Sequence, residues 1–152
     1  MKNNTALVIM LLFFFTGTAC GQGNQNTNSS ESQGTAMYLH ISNRVLTATL
    51  VDNSSTRALT ELLEANPITI DMRDYGNFEK VGNLGTTLPQ NNERITAQSG
   101  DLILFQGNQF VIYYAQNTWS LTRLGRINNI SAQELRDILG TGNVTVILSL
   151  NQ

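Results

Sequence analysis

Short apolar runs separated by turn residues dominate the chain beyond residue 36, and several alternate apolar with polar positions. A period of two residues is typical of a β-strand, whose successive side chains point to opposite faces. The pattern predicts about seven or eight short strands, and its clearest runs are Met37–Ser42, Val45–Val51, Pro67–Arg73, Leu102–Phe105, Gln109–Ala115, Leu121–Ile127 and Asn143–Leu150.

Two segments show helical spacing instead. Ser54–Ala65 carries one apolar stripe, can be capped by Asn53 or Ser54, and ends where Pro67 disfavours a helical conformation at Asn66. The second helix begins at the capping-box sequence 131–134 and stops at Gly140. Short strands without β-α-β alternation predict a mainly β protein, a closed antiparallel barrel of about eight strands with two capping helices.

The stretch 109–127 has the highest density of candidate binding side chains. Gln109–Ala115 is apolar on both faces, which is typical of a strand in a closed or covered sheet. A turn at Asn117-Thr118 and a returning strand, Leu121–Ile127, predict a hairpin that carries Arg123 and Arg126. Asp74–Gln98 is predicted as a long loop, because glycines and a proline interrupt it.

The N-terminus has the features of an export signal. Lys2 precedes an apolar run, Ala6–Phe15, that is too short to span a bilayer, and small residues precede the single cysteine, Cys20. The segment resembles a bacterial lipoprotein signal, which implies lipidation of Cys20 and a cell-envelope protein anchored to a membrane and facing the periplasm or the exterior. Gly17 replaces the leucine usual in that motif, so ordinary secretion stays open. The predicted organisation is a signal peptide at 1–20, a flexible polar tether at 21–35 and a domain at 36–152.

Charge and residue types exclude several classes of function. Charged residues make up 13% of the chain and the net charge is −2, without a basic run, which argues against a nucleic-acid partner. One histidine, His40, and no carboxylate pair at ligand spacing predict no metal site, and no cofactor is predicted. No serine or cysteine lies in a nucleophile-elbow sequence, so a nucleophilic triad is not expected.

Four stretches resemble the bacterial cyclophilin-like domain family, in that family's order. They are LVDNSSTRALTELL at 50–63, DYGNFEKVGNL at 74–84, GDLILFQGNQFVIYY at 100–114 and NTWSLTRLGRI at 117–127. The last is the most specific, because it combines a tryptophan, Thr-Arg and Leu-Gly-Arg at fixed spacing. The resemblance implies an eight-stranded barrel capped by two helices, in agreement with the pattern of strands.

The likeness to true cyclophilins is confined to Gly107–Ile112, which resembles their proline-pocket strand. By that likeness Gln109 takes the glutamine position, and Val111 stands where cyclophilins have a pocket phenylalanine. Their Phe-His-Arg-Ile motif, with its catalytic arginine, has no counterpart, so no catalytic residue is assigned. Arg123 and Arg73 are the candidate donors to a proline amide. The alternative is that both arginines form surface ion pairs with Asp71, Asp74 or Glu79.

Gln109, Tyr113 and Trp119 are the predicted walls of a ligand groove with Val111 as its floor, although Trp119 could simply belong to the core. Tyr75 and Phe78, with Glu79 and Lys80, add a second cluster in the predicted long loop, where aromatic and charged residues indicate binding. The alternative is that Phe78 anchors the loop while Glu79 and Lys80 stay in water.

Two functions follow from these residues. The preferred one is a binding module for a peptide or small ligand, without efficient catalysis, and the alternative is a weak peptidyl-prolyl isomerase. An arginine within hydrogen-bond reach of the groove formed by Gln109, Tyr113 and Trp119 would favour the enzyme.

Overall fold

The structure, a computed structural model, describes residues 34–152. The predicted signal peptide, the lipidation at Cys20 and most of the predicted tether lie outside the described residues. Within 34–152, no helix has the length and apolar content needed to cross a membrane.

The described chain contains nine strands and two helices. In chain order they are β1 (Ala36–Ile41), β2 (Arg44–Leu50), α1 (Ser54–Ala65), β3 (Ile68–Tyr75), β4 (Glu79–Asn83), β5 (Glu93–Ala97), β6 (Asp101–Phe105), β7 (Gln109–Tyr113), β8 (Asn117–Ile127), α2 (Ala132–Leu139) and β9 (Val144–Ser149).

Eight of the strands close into an antiparallel barrel. Around the wall the order is β2-β1-β9-β3-β4-β7-β6-β8, and β8 pairs back onto β2. Gly125 of β8 lies opposite Leu50 at this closure, and a Cβ there would lie 2.4 Å from the Thr49 carbonyl oxygen. Only glycine therefore allows the two backbones to approach this closely. The predicted closed barrel of about eight strands with two helices is confirmed.

The barrel encloses the main core. Alternate residues of the wall strands supply it, and both helices add leucines, namely Leu59, Leu63, Leu135 and Leu139. Asn53 begins α1 with a capping box: its side chain accepts from the Thr56 backbone N–H at 2.9 Å, and its own N–H donates to the Thr56 hydroxyl at 3.1 Å. Ser131 caps α2 by accepting from the Glu134 N–H at 3.1 Å.

The predicted hairpin between residues 109–115 and 121–127 is wrong. β6 lies between β7 and β8 and pairs with both. β7 is apolar on both faces because Phe110 and Ile112 face the main core, whereas Val111 and Tyr113 belong to a second buried apolar cluster. Asn117 and Thr118 are not a turn, because they begin β8 and pair with Ala97 and Thr96 of β5.

The long loop predicted at Asp74–Gln98 is also wrong, because it contains β4, β5 and the end of β3. Gly82 does not interrupt the chain: it lies within β4, where a Cβ would come 2.4 Å from the Ile70 side chain. Glycine here permits close packing inside a strand. Gly76 and Asn77, at φ +60° and +57°, instead form the tight turn between β3 and β4. The irregular segment that remains is 84–92.

Candidate functional site

A second apolar cluster lies on the outer face of the barrel wall. Phe110 and Ile112 of β7 belong to the main core, whereas Val111 and Tyr113, which alternate with them, belong to this second cluster. Because strand side chains alternate between faces, the second cluster must be on the opposite side of the wall. Its buried members are Val81, Ala97, Ile103, Val111, Tyr113 and Leu121.

A two-stranded ribbon covers this outer cluster. The ribbon consists of β5 and residues 117–121 of β8, which pair with each other and with no other strand of the described chain. Ala97 and Ile95 of the ribbon pack into the cluster. Val111, the predicted pocket floor, is consequently buried beneath the ribbon and does not line an open groove.

An open groove of about 200 Å³ remains beside the ribbon, and we refer to it as the aromatic groove. It brings together three predicted ligand-binding residues from three strands: Tyr75 of β3, Tyr113 of β7 and Trp119 of β8. The remaining lining residues are Glu79, Phe105, Asn117 and Leu121.

The two outermost aromatic side chains of the groove are unusually accessible. Tyr75 is 56% exposed and Trp119 is 58% exposed, so Trp119 is not a core residue. Phe78 lies behind them, with its ring stacked on Tyr113 at 5.9 Å between centroids and edge-on to Tyr75 at 6.2 Å. Phe78 therefore supports the position of both tyrosines without lining the groove.

Glu79 is the acidic side chain of the groove. It is 9% exposed, and burial raises the pKa of its carboxyl, an effect that a hydrogen bond from the Tyr113 hydroxyl partly opposes. Burial also raises the pKa of Tyr113, and the nearby Glu79 raises it further. None of the ion pairs within 34–152 includes Glu79. The alternative in which Glu79 and Lys80 stay in water is wrong for both residues, because both are buried.

Lys80 points to the opposite side of β4 and serves a different purpose. Its ammonium is fully buried and donates to the carbonyl oxygens of Gly140 at 2.9 Å and Gly142 at 2.6 Å, just beyond α2. It also forms an ion pair with Asp74 at 2.9 Å. These contacts fasten the end of α2 to the barrel wall.

Asp74 completes this fastening. Its carboxylate accepts hydrogen bonds from the Tyr114 hydroxyl and from the Gly142 N–H, both at 2.9 Å. Burial alone would raise the pKa of Asp74, but the bonds from Lys80, Gly142 and Tyr114 outweigh it and hold the pKa below its usual 3.8. Asp74 was a predicted ion-pair partner of an arginine, but its partner is Lys80.

The candidate catalytic arginines do not line the aromatic groove. Arg123 forms an ion pair with the buried carboxylate of Asp101 at 2.8 Å, and Arg126 binds the other oxygen of that carboxylate at 2.7 Å. Arg73 lies opposite Val81 on the exposed side of β3 and is absent from the groove lining. Gln109 lies at the start of β7, where its amide contacts Asn108 at 3.4 Å, and it too is absent from the lining.

Three lining residues, Phe105, Asn117 and Leu121, escaped the sequence-based prediction. Phe105 could have been found from the sequence, because strand alternation places it on the same face of β6 as Ile103. Asn117 and Leu121 carry no such signal, because their position depends on the pairing of β8 with β5.

No group of three or more histidine, cysteine, aspartate or glutamate side chains within 34–152 is arranged to hold a metal ion. His40 lies in β1 with its Nε2 atom 3.0 Å from the Ser149 hydroxyl.

Comparisons with known proteins agree with the barrel. A search of curated proteins finds no sequence match. The solution structure of a hypothetical protein from Archaeoglobus fulgidus is similar, with a TM-score of 0.56 and 12% sequence identity, over 79% of this chain and 98% of that one. At this identity the likeness concerns the fold alone. The model of the Cyclophilin-like family matches residues 39–149, which is most of the described chain. This chain therefore belongs to the Cyclophilin-like family.

Proposed function

We propose that the protein is a binding module whose aromatic groove takes a peptide or small ligand without efficient catalysis. The observation that carries this proposal is the exposure of Tyr75 and Trp119 on either side of a groove that contains a buried carboxyl group. Large aromatic side chains at the surface leave apolar area in water, and they are the residues that most often supply binding energy at interfaces. A ligand seated between them would remove that area from water.

The arrangement supports binding more than prolyl isomerisation. The barrier to uncatalysed isomerisation is about 20 kcal/mol. An enzyme that lowers this barrier needs an apolar pocket for the proline and a donor that weakens the resonance of the amide bond. Val111 lies under the ribbon, and Arg123 is held by Asp101. Neither Val111, the pocket floor expected from the cyclophilin likeness, nor Arg123, a candidate donor, is therefore available at the groove.

We also propose an extracytoplasmic location with a lipid anchor at Cys20. The support is the order of the N-terminal sequence, with a positive residue, an apolar run of about ten residues, small residues and then the cysteine. A polar tether between residues 21 and 35 would let the domain reach ligands near a membrane surface.

A random peptide library selected on the protein tests the groove. We expect the selected peptides to lose at least about tenfold in affinity for a Trp119→Ala variant, because an exposed tryptophan beside a groove is a typical binding hot spot. Val45→Ala is the matched control, since Val45 is also exposed and apolar but lies away from the groove. Equal binding of the selected peptides to the wild-type protein and to both variants would contradict the proposal.

An isomerase assay on a proline-containing tetrapeptide tests the absence of efficient catalysis. We expect the rate with the protein to equal the uncatalysed rate, and Arg123→Ala to leave it unchanged, because Arg123 is engaged with Asp101. A protein-dependent acceleration that Arg123→Ala abolishes would replace the binding module with an enzyme.

A further inference from the structure

Resting on the proposed function of the aromatic groove, we propose that the groove recognises a single arginine side chain of a peptide. Its guanidinium would pair with the Glu79 carboxylate and stack on the exposed rings of Tyr75 and Trp119. The evidence is the charge of the groove, the chemistry of its walls and its size.

The groove contains one acidic side chain, Glu79, which the neutral Tyr113 hydroxyl bonds but which no cation of residues 34–152 balances. Glu79 is buried among aromatic and apolar groups, and no lysine or arginine within 34–152 forms an ion pair with it. An ionised carboxylate that is removed from water without a cationic partner is costly. The raised pKa of Glu79 is the expected sign of this cost. A cation brought by a ligand would offset it.

Asp101, a second buried acid on the same outer face of the barrel, differs from Glu79 because arginines pair with it. Asp101 is even more buried than Glu79, but its carboxylate is bound by two arginines of this chain, Arg123 and Arg126. The protein thus supplies cations to one buried acid of this face and leaves the other without one. Glu79 is the one that lines the groove.

The walls of the groove favour a guanidinium over other cations. Tyr75 and Trp119 offer exposed ring faces, and a planar guanidinium stacks on such faces while its N–H groups bond a carboxylate in the same plane. The ammonium of lysine is more strongly hydrated and cannot stack in this way. Asn117 adds an acceptor oxygen to the lining for a further guanidinium N–H.

The size of the groove indicates one side chain. Its volume of about 200 Å³ is below the roughly 300–1,000 Å³ typical of small-molecule sites. Because the groove is open to solvent, the peptide backbone can remain outside while the arginine enters. We therefore commit to an arginine of a peptide as the occupant, and a free guanidinium compound becomes an outcome of the test.

The experiment titrates the full-length protein with blocked glycine-serine peptides that differ at one central residue. The central residue is arginine, lysine or citrulline, the uncharged isostere of arginine. Binding is followed by the emission of Trp119, the only tryptophan of the chain. We expect the lysine peptide to bind several-fold more weakly than the arginine peptide, and the citrulline peptide at least tenfold more weakly.

Two variants assign the effect to Glu79. Glu79→Gln keeps the shape of the groove and removes its charge, and we expect at least a tenfold loss of affinity for the arginine peptide. Glu61→Gln makes the same change at an exposed position of α1 and should bind as the wild type does. Thermal unfolding of both variants verifies that each is folded.

Several results would overturn the inference. Citrulline binding as tightly as arginine, unchanged affinity in Glu79→Gln, or no binding of the arginine peptide would each do so. Tighter binding of N-acetyl-arginine amide than of the arginine peptide would show that the groove excludes a peptide backbone and would replace the peptide with a small guanidinium ligand. Library peptides that depend on Trp119 but lack arginine would contradict this inference and leave the proposed function intact, whereas no Trp119-dependent peptide at all would contradict both.

Discussion

Glu79 and Lys80 are adjacent in β4, but they lie on opposite faces of the barrel wall. The Lys80 ammonium meets three oxygen acceptors, from Asp74, Gly140 and Gly142, and so its burial is fully compensated. Glu79 receives no cation from residues 34–152. A buried charged group that is bound by oppositely charged and hydrogen-bonding groups of the protein indicates a structural role. A buried charged group without an opposite charge beside it indicates a binding role.

Lys80→Met tests the structural role. Methionine fills a similar volume but leaves the carbonyl oxygens of Gly140 and Gly142 and part of the Asp74 carboxylate without this donor. We expect the free energy of unfolding, measured by urea denaturation, to fall by about 3 kcal/mol.

The control for Lys80→Met is Arg44→Met, which breaks an exposed ion pair with Glu134 at 3.3 Å. We expect that change to cost less than about 1 kcal/mol, because exposed pairs are screened by solvent. Equal losses in the two variants would show that the Lys80 contacts do not fasten α2 to the barrel.

At the scale of elements, the ribbon formed by β5 and the start of β8 determines the site. It covers the outer apolar cluster, buries Val111 and leaves the aromatic groove at its side. The barrel wall alone would expose that cluster to solvent. The ribbon therefore converts an open apolar face into a small groove that contains a carboxylate.

The Asn53 side chain joins the start of α1 to strand β8. Asn53 caps the helix with its oxygen, and its Nδ2 donates to the Arg123 carbonyl oxygen of β8 at 2.8 Å. We expect Asn53→Ala, which removes both contacts, to lower the free energy of unfolding by about 1–2 kcal/mol in thermal or urea denaturation.

Asn53→Asp separates the two contacts, because it keeps the capping oxygen and removes the donor to β8. We expect it to cost less than Asn53→Ala, since aspartate is an equally good cap. If both variants lose the same stability, the bond to β8 and not the cap holds the helix start.

At the scale of the whole molecule, the proposed lipid anchor sets where the groove would act. We expect the protein expressed in bacteria to sediment with membranes and a Cys20→Ser variant to be released. The physical reason is that each buried CH₂ of an acyl chain contributes about 0.8 kcal/mol, so more than one chain gives stable anchoring. Mass spectrometry of the mature N-terminus provides the second measurement. An unmodified Cys20, or cleavage at another position, would contradict the anchor.

The sequence alone was sufficient for the fold class and for most elements. The period of two residues, the apolar stripe of Ser54–Ala65 and the caps at Asn53 and Ser131 are local features, and the structure contains each of them. Local features can be read along the chain because they depend on residues a few positions apart. Part of the site was accessible for the same reason, since Tyr113 lies in the strand-like run Gln109–Ala115, whereas Trp119 lay outside the predicted strands.

The pairing of strands and the partners of buried charges required the tertiary structure. Three features join residues that are distant in sequence. They are the position of β6 between β7 and β8, the ribbon that covers Val111, and the ion pair between Arg123 and Asp101. A glycine-containing segment such as 74–98 looks the same in sequence whether its glycines end a strand or permit close packing within one, as Gly82 does. The sequence therefore determined which segments form strands and helices, and the packing of the barrel determined which side chains meet, because that meeting depends on contacts that no local pattern encodes.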